Sequence, residues 1–141
     1  MRLLSVLFCL FLASSGWAMA GPVKHPTDAE CKEADNSPIT SWKELHSYFQ
    51  RYGGFCADGA QAEGLAEIAA ELLDEKWSTL SELHALSRRD PAFLRWILSR
   101  PIYSPEDLAV AERALHNLKN KCTKPHLALC QRLASRVVTT F

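Results

Sequence analysis

Apolar residues recur at three- and four-residue spacing through most of the chain, and no period-two run of β-branched residues lasts beyond a few positions. That spacing is the signature of amphipathic helices. Ser41-Trp42-Lys43-Glu44 reads as a capping box that opens a first helix, with Trp42, Leu45 and Phe49 on one face and Gly53-Gly54 ending it through a left-handed cap. A second helix is predicted over 59–77, with Asp58 as N-cap, Gln61 three residues on, and a stripe of Leu65, Ile68, Ala69 and Leu72. Thr79-Leu80-Ser81-Glu82 starts a third, with Leu80, Leu83 and Leu86 inward. Asp90-Pro91 places an N-cap before a proline at the first helical position, and Phe93, Leu94, Ile97 and Leu98 line that fourth helix until Pro101. Ser104-Pro105-Glu106-Asp107 starts a fifth, striped by Leu108, Ala111, Leu115 and Leu118; Pro125 opens a sixth, with Leu127, Cys130, Ala134 and Val137 on one side. The expected fold is all-α, about six short helices in a single domain over 39–141, preceded by an extended arm over 21–38 that carries Pro22, Pro26 and Pro38.

The first twenty residues follow a different pattern. Arg2, the apolar run 3–12 and Ala18-Met19-Ala20 match a secretory signal peptide with its cleavage site. The run is shorter than the roughly twenty residues that a membrane span needs. The expected mature chain is therefore 21–141, periplasmic or secreted, with no membrane span after cleavage. Cys9 leaves with the leader, and Cys31, Cys56, Cys122 and Cys130 remain. An even number in an exported chain predicts two disulfides among three possible pairings. Cys31–Cys56 with Cys122–Cys130 closes the more modest loops; a pairing that ties the arm to the C-terminal region is the alternative.

Composition removes several function classes. The formal charge is zero over the whole chain and about −1 after cleavage, with no polybasic face, which argues against nucleic acid as a partner. No H-E-x-x-H, G-x-S-x-G or P-loop is present, and the cysteines lack zinc-ligand spacing, so no metal and no cofactor is assigned. His25, His46, His84, His116 and His126 are scattered, none within three or four residues of another, and read as exposed or capping residues. Trp42, Trp77 and Trp96 lie on or beside apolar stripes and read as core.

Two features of 51–64, "RYGGFCADGAQAEG", outlast the helix-boundary reading. Asp58 and Glu63 flank a glycine-rich turn and could serve as an acid–base pair in a small hydrolase. Gly64, inside a predicted helix, costs about 1 kcal/mol against alanine, which calls for close approach of another helix or backbone. Downstream, Glu63, Glu67 and Glu71 stand at i, i+4, i+8, followed by Asp74 and Glu75. Residues 58–82 carry seven acids against one lysine, a net of −6, whereas 87–141 carry ten Lys and Arg against four acids, a net of +6. Either the stripe is internal, solvated or set against basic helices such as the one bearing Arg132 and Arg136, or it faces outward as a surface for a basic protein partner.

The segment "CADGAQAEGLAEIAAELLDEKWSTLSELHALSRRDPAF", the closing "C…LALC", four cysteines and the export leader together resemble the periplasmic immunity proteins of bacterial type VI secretion systems, particularly the helical amidase-immunity type. The resemblance is architectural and transfers no residue roles. It implies a non-enzymatic protein, with a homodimer as one option, that occludes the active site of a cell-wall hydrolase. The other two expectations are the small periplasmic hydrolase using Asp58 and Glu63, and an envelope structural protein with no tight partner.

Overall fold

The structure is a computed structural model that describes residues 25–36, 38–53, 55–56 and 59–140. The leader, Gly54 and Asp58 lie outside the described residues. Within them the chain forms seven α-helices: α1 Asp28–Asp35, α2 Trp42–Tyr52, α3 Gly59–Asp74, α4 Leu80–Arg89, α5 Pro91–Leu98, α6 Leu108–Asn120 and α7 Leu127–Ala134. Single 3₁₀ turns at Trp77–Thr79 and Lys124–His126 lead into α4 and α7. The all-α expectation and both disulfides hold: Cys31 pairs with Cys56, Cα atoms 5.1 Å apart, and Cys122 with Cys130, 6.4 Å apart.

The helix that the sequence reading missed is α1, which lies in the supposedly extended arm. Thr27 caps it: its hydroxyl accepts from the Glu30 amide, while the Glu30 carboxylate accepts from the Thr27 amide at 2.7 Å. This reciprocal box sits just after Pro26, and its helix shows almost no apolar stripe, so periodicity could not reveal it. Only Ala34 is driven into the core, and the Cys31–Cys56 bond fixes the rest.

Caps placed the other helices with varied success. Ser41 accepts from the Glu44 amide as expected, but the Glu44 carboxylate reaches back one residue further, to the Thr40 amide at 2.7 Å, so the box is not reciprocal. Gly53 ends α2 at φ +56°, the conformation that glycine adopts without penalty. Asp90 caps α5, its Oδ1 accepting from the Ala92 and Phe93 amides, while its Oδ2 meets His46 Nε2 at 3.0 Å and ties α2 to the α4–α5 corner. Thr79, expected as a cap, lies instead in the 3₁₀ turn with its hydroxyl on the Lys76 carbonyl, and α3 ends at Asp74 before that turn. The α6 cap is Asp107 rather than Ser104. The register of α6 differs accordingly: Leu108 is exposed and Leu115 half-buried, while Val110, Ala111, Ala114, Asn117 and Leu118 face inward. In α7 Leu127 is likewise exposed, and Leu129, Cys130 and Leu133 carry the burial.

The core runs through Trp42, Leu45, Leu73, Leu83, Phe93, Ile102 and Leu133. Trp42 is buried as predicted, whereas Trp77 and Trp96 are half-buried at its edge, Trp96 among Tyr48, Phe49 and Phe93 with the Arg100 guanidinium 4.4 Å above its ring. A single parallel bridge, Ile102 with Val137, seals the segment after α7 against the one after α5. No described helix is long and apolar enough to cross a membrane.

Reduction of the Cys31–Cys56 bond, which spans 25 residues, is expected to lower stability by about 2–5 kcal/mol, read by urea unfolding with and without reductant. The Cys122–Cys130 bond spans only 8 residues and constrains the unfolded chain less, so the Cys122→Ser/Cys130→Ser variant should lose less than Cys31→Ser/Cys56→Ser. At Asp90, the hydrogen bond from His46 and then the Phe93 and Ala92 amides hold the carboxyl below its ordinary pKa despite opposing desolvation. A depressed carboxylate contributes stability above its unfolded pKa and loses it as the pH falls through the folded one. Asp90→Asn should therefore destabilise the protein at neutral pH, and the gap to wild type should narrow below about pH 4.

Candidate functional site

Helix α3 lines a concave surface on one flank. Leu65, Ala66, Ala69, Ala70, Leu72 and Leu73 face inward, and α6 forms its most extensive helix contact. On its other flank Ala60, Gly64 and Ile68, spaced four apart, form one wall of a groove of about 290 Å³ completed by Gln61 and Leu65 of α3, Ala34 of α1, Tyr48 of α2 and Ile39 of the segment between α1 and α2. Gln61 is held there by its amide, which donates to the Cys31 carbonyl at 3.3 Å. Ile39 also lines a second hollow of about 230 Å³, with Thr40, Glu71, Leu72, Glu75 and Lys76.

Gly64 has no neighbour to explain it. A Cβ built there would meet nothing within 4 Å, and its backbone is ordinary helix. The close internal approach expected from the sequence is absent among the described residues, and the missing side chain leaves the groove open instead.

The members of the acidic stripe have two kinds of surroundings. Glu67 and Asp74 are committed internally: the buried Ser104 hydroxyl donates to Glu67 Oε1 at 2.9 Å, and Arg113 Nε donates to Asp74 Oδ2 at 2.8 Å. The basic partner comes from α6. Arg136 instead donates to the Arg100 carbonyl. Asn117, buried on α6, donates to the carbonyls of Leu73 and Asp74 and satisfies the end of α3. Glu63, Glu71 and Glu75 are exposed, and the last two line the second hollow. Partial burial, then the charges of Glu67 and Glu75, raise the Glu71 pKa above its ordinary value.

Of the proposed acid–base pair, only Glu63 is among the described residues. Glu63 is exposed on the outer side of α3, and its proposed partner Asp58 lies outside the described residues. Among the described residues no group of three or more His, Cys, Asp or Glu could hold a metal ion. One association that sequence spacing could not reveal is tertiary: the His84 ring on α4 meets the His126 ring edge-on, centroids 4.8 Å apart. Comparison with protein-family models, curated proteins and solved structures finds no match to this chain.

A raised carboxyl pKa destabilises the folded state once the group ionises, so its stability is retained at low pH and lost as the pH rises through the folded pKa. Glu71→Gln is expected to stabilise the protein at neutral pH and to be without effect near about pH 3, read by urea midpoints at the two pH values.

Proposed function

We propose that the protein is an exported, non-catalytic binding protein that sequesters a secreted or cell-wall-active enzyme, in the manner of an inhibitor or immunity protein. The observation that carries this reading is Gly64. A glycine inside a helix costs about 1 kcal/mol against alanine, and no contact among the described residues uses the space it leaves. An external segment lying against α3 would use it. The exposed pair Glu71 and Glu75 lines the hollow that shares Ile39 with the groove, so the segment that fits carries lysine or arginine. Complementary charge of this kind raises the association rate and rejects wrong partners more than it adds affinity. Two disulfides suit an oxidising compartment, which supports the periplasmic or secreted location that the leader suggests.

Gly64→Ala and Glu71→Lys test the proposal from opposite directions. Gly64→Ala should raise stability by up to about 1 kcal/mol yet reduce the amount of partner captured from periplasmic extract, identified by mass spectrometry. Glu71→Lys and Glu75→Lys should also reduce capture without lowering the melting temperature. Asp74→Asn, which removes only the internal pair with Arg113, should do the reverse. If the three groove variants capture the same protein in the same amount as wild type, the proposed surface is wrong.

A further inference from the structure

His84 and His126 come from separate parts of the chain, and the fold brings their rings together. His84 sits on α4, whose Leu80, Leu83 and Ser87 are buried. His126 ends the 3₁₀ turn that begins Lys124-Pro125, inside the loop closed by Cys122–Cys130. Their ring centroids are 4.8 Å apart with the planes at 85°. Two imidazoles bound side by side to one metal, each at about 2.0–2.1 Å and subtending about 90–110°, place their centroids about 4.5–5.2 Å apart. The observed spacing falls in that interval.

One nitrogen of His126 has a partner. The Thr123 hydroxyl lies 3.1 Å from His126 Nδ1. With Nδ1 carrying the proton and donating it to the Thr123 oxygen, Nε2 keeps its lone pair as a ligand, and the ring orientation is fixed by a partner behind it, as in protein metal sites generally. Both rings are half-buried, so water can complete the coordination. No third His, Cys, Asp or Glu joins the pair among the described residues.

We propose that His84 and His126 form a two-imidazole site for a divalent transition metal, with Cu²⁺ the tightest ligand. Nitrogen donors without thiolate or carboxylate suit the later first-row ions, whose affinities peak at Cu²⁺. The metal joins α4 to the disulfide loop before α7 and so stabilises the folded state by mass action. The site is separate from the α3 groove and stands or falls independently of partner capture.

The test is titration of untagged protein with Cu²⁺ alone, followed by calorimetry and electron paramagnetic resonance. One equivalent should bind with hyperfine coupling to two imidazole nitrogens, and should raise the melting temperature. His84→Phe and His126→Phe preserve the ring packing; each should weaken binding at least about tenfold and abolish the thermal shift. Thr123→Val should weaken binding several-fold. Circular dichroism checks that each variant folds, with His84→Gln in reserve should a phenylalanine variant fail. Wild-type affinity retained by either histidine variant, or no saturable binding by the wild type, overturns the site and leaves the two rings as a packing contact.

Discussion

The fold depends on how closely α3 and α6 pack. Ala66, Ala69 and Ala70 on one helix and Ala111 and Ala114 on the other are all buried, and small side chains at a helix contact let the two backbones approach. That proximity brings the Asn117 amide onto the last carbonyls of α3 and Arg113 onto Asp74. The chain enters α6 through Asp107, whose carboxylate caps the helix that starts at Leu108. Ser104 is buried against Glu67, where its hydroxyl both donates to the carboxylate and accepts from the Asp107 amide.

Once one flank of α3 is committed to α6, the other flank is left to the N-terminal elements, and these cover it incompletely. The helix α1 contributes a single buried side chain, Ala34, and is held by the Cys31–Cys56 bond and its Gln61 hydrogen bond rather than by a broad apolar face. Ile39 crosses between α1 and α2 half-buried, and lines both hollows. The groove therefore follows from a shortage of apolar surface in the first elements, and Gly64 keeps it wide. The charge along α3 follows the same division. Acids facing α6 and its approach are neutralised or hydrogen-bonded, and those on the outer edge are left to solvent.

The two disulfides stabilise the parts of the chain where packing is thinnest. One holds α1, which has little core of its own; the other closes the turn into α7 over a stretch whose Leu127 is exposed. Each also shapes a surface feature beside it, the α3 groove in the first case and the histidine pair in the second. Neither feature rests on a single helix. Both depend on segments brought together by a covalent link and a helix packed opposite.

The sequence by itself determined what is local. Helical periodicity, the Ser41 and Asp90 caps and the glycine end of α2 depend on residues within one turn of each other, so their physics is complete in a short window. The pairing of neighbouring cysteines also followed from loop length. Tertiary structure decided the rest. Helix α1 has a cap but no stripe, so nothing in hydrophobic spacing announced it. Leu108 and Leu127 fit their stripes and are nonetheless exposed, because the neighbouring helices meet a different arc of the wheel. The acidic ladder of α3 is one motif in sequence, yet Ser104 and Arg113 arrive from distant positions and take two of its members inward. Gly64 and the histidine pair belong with these cases: the space beside a helix, and the ring that meets another ring, are set by which segments pack there.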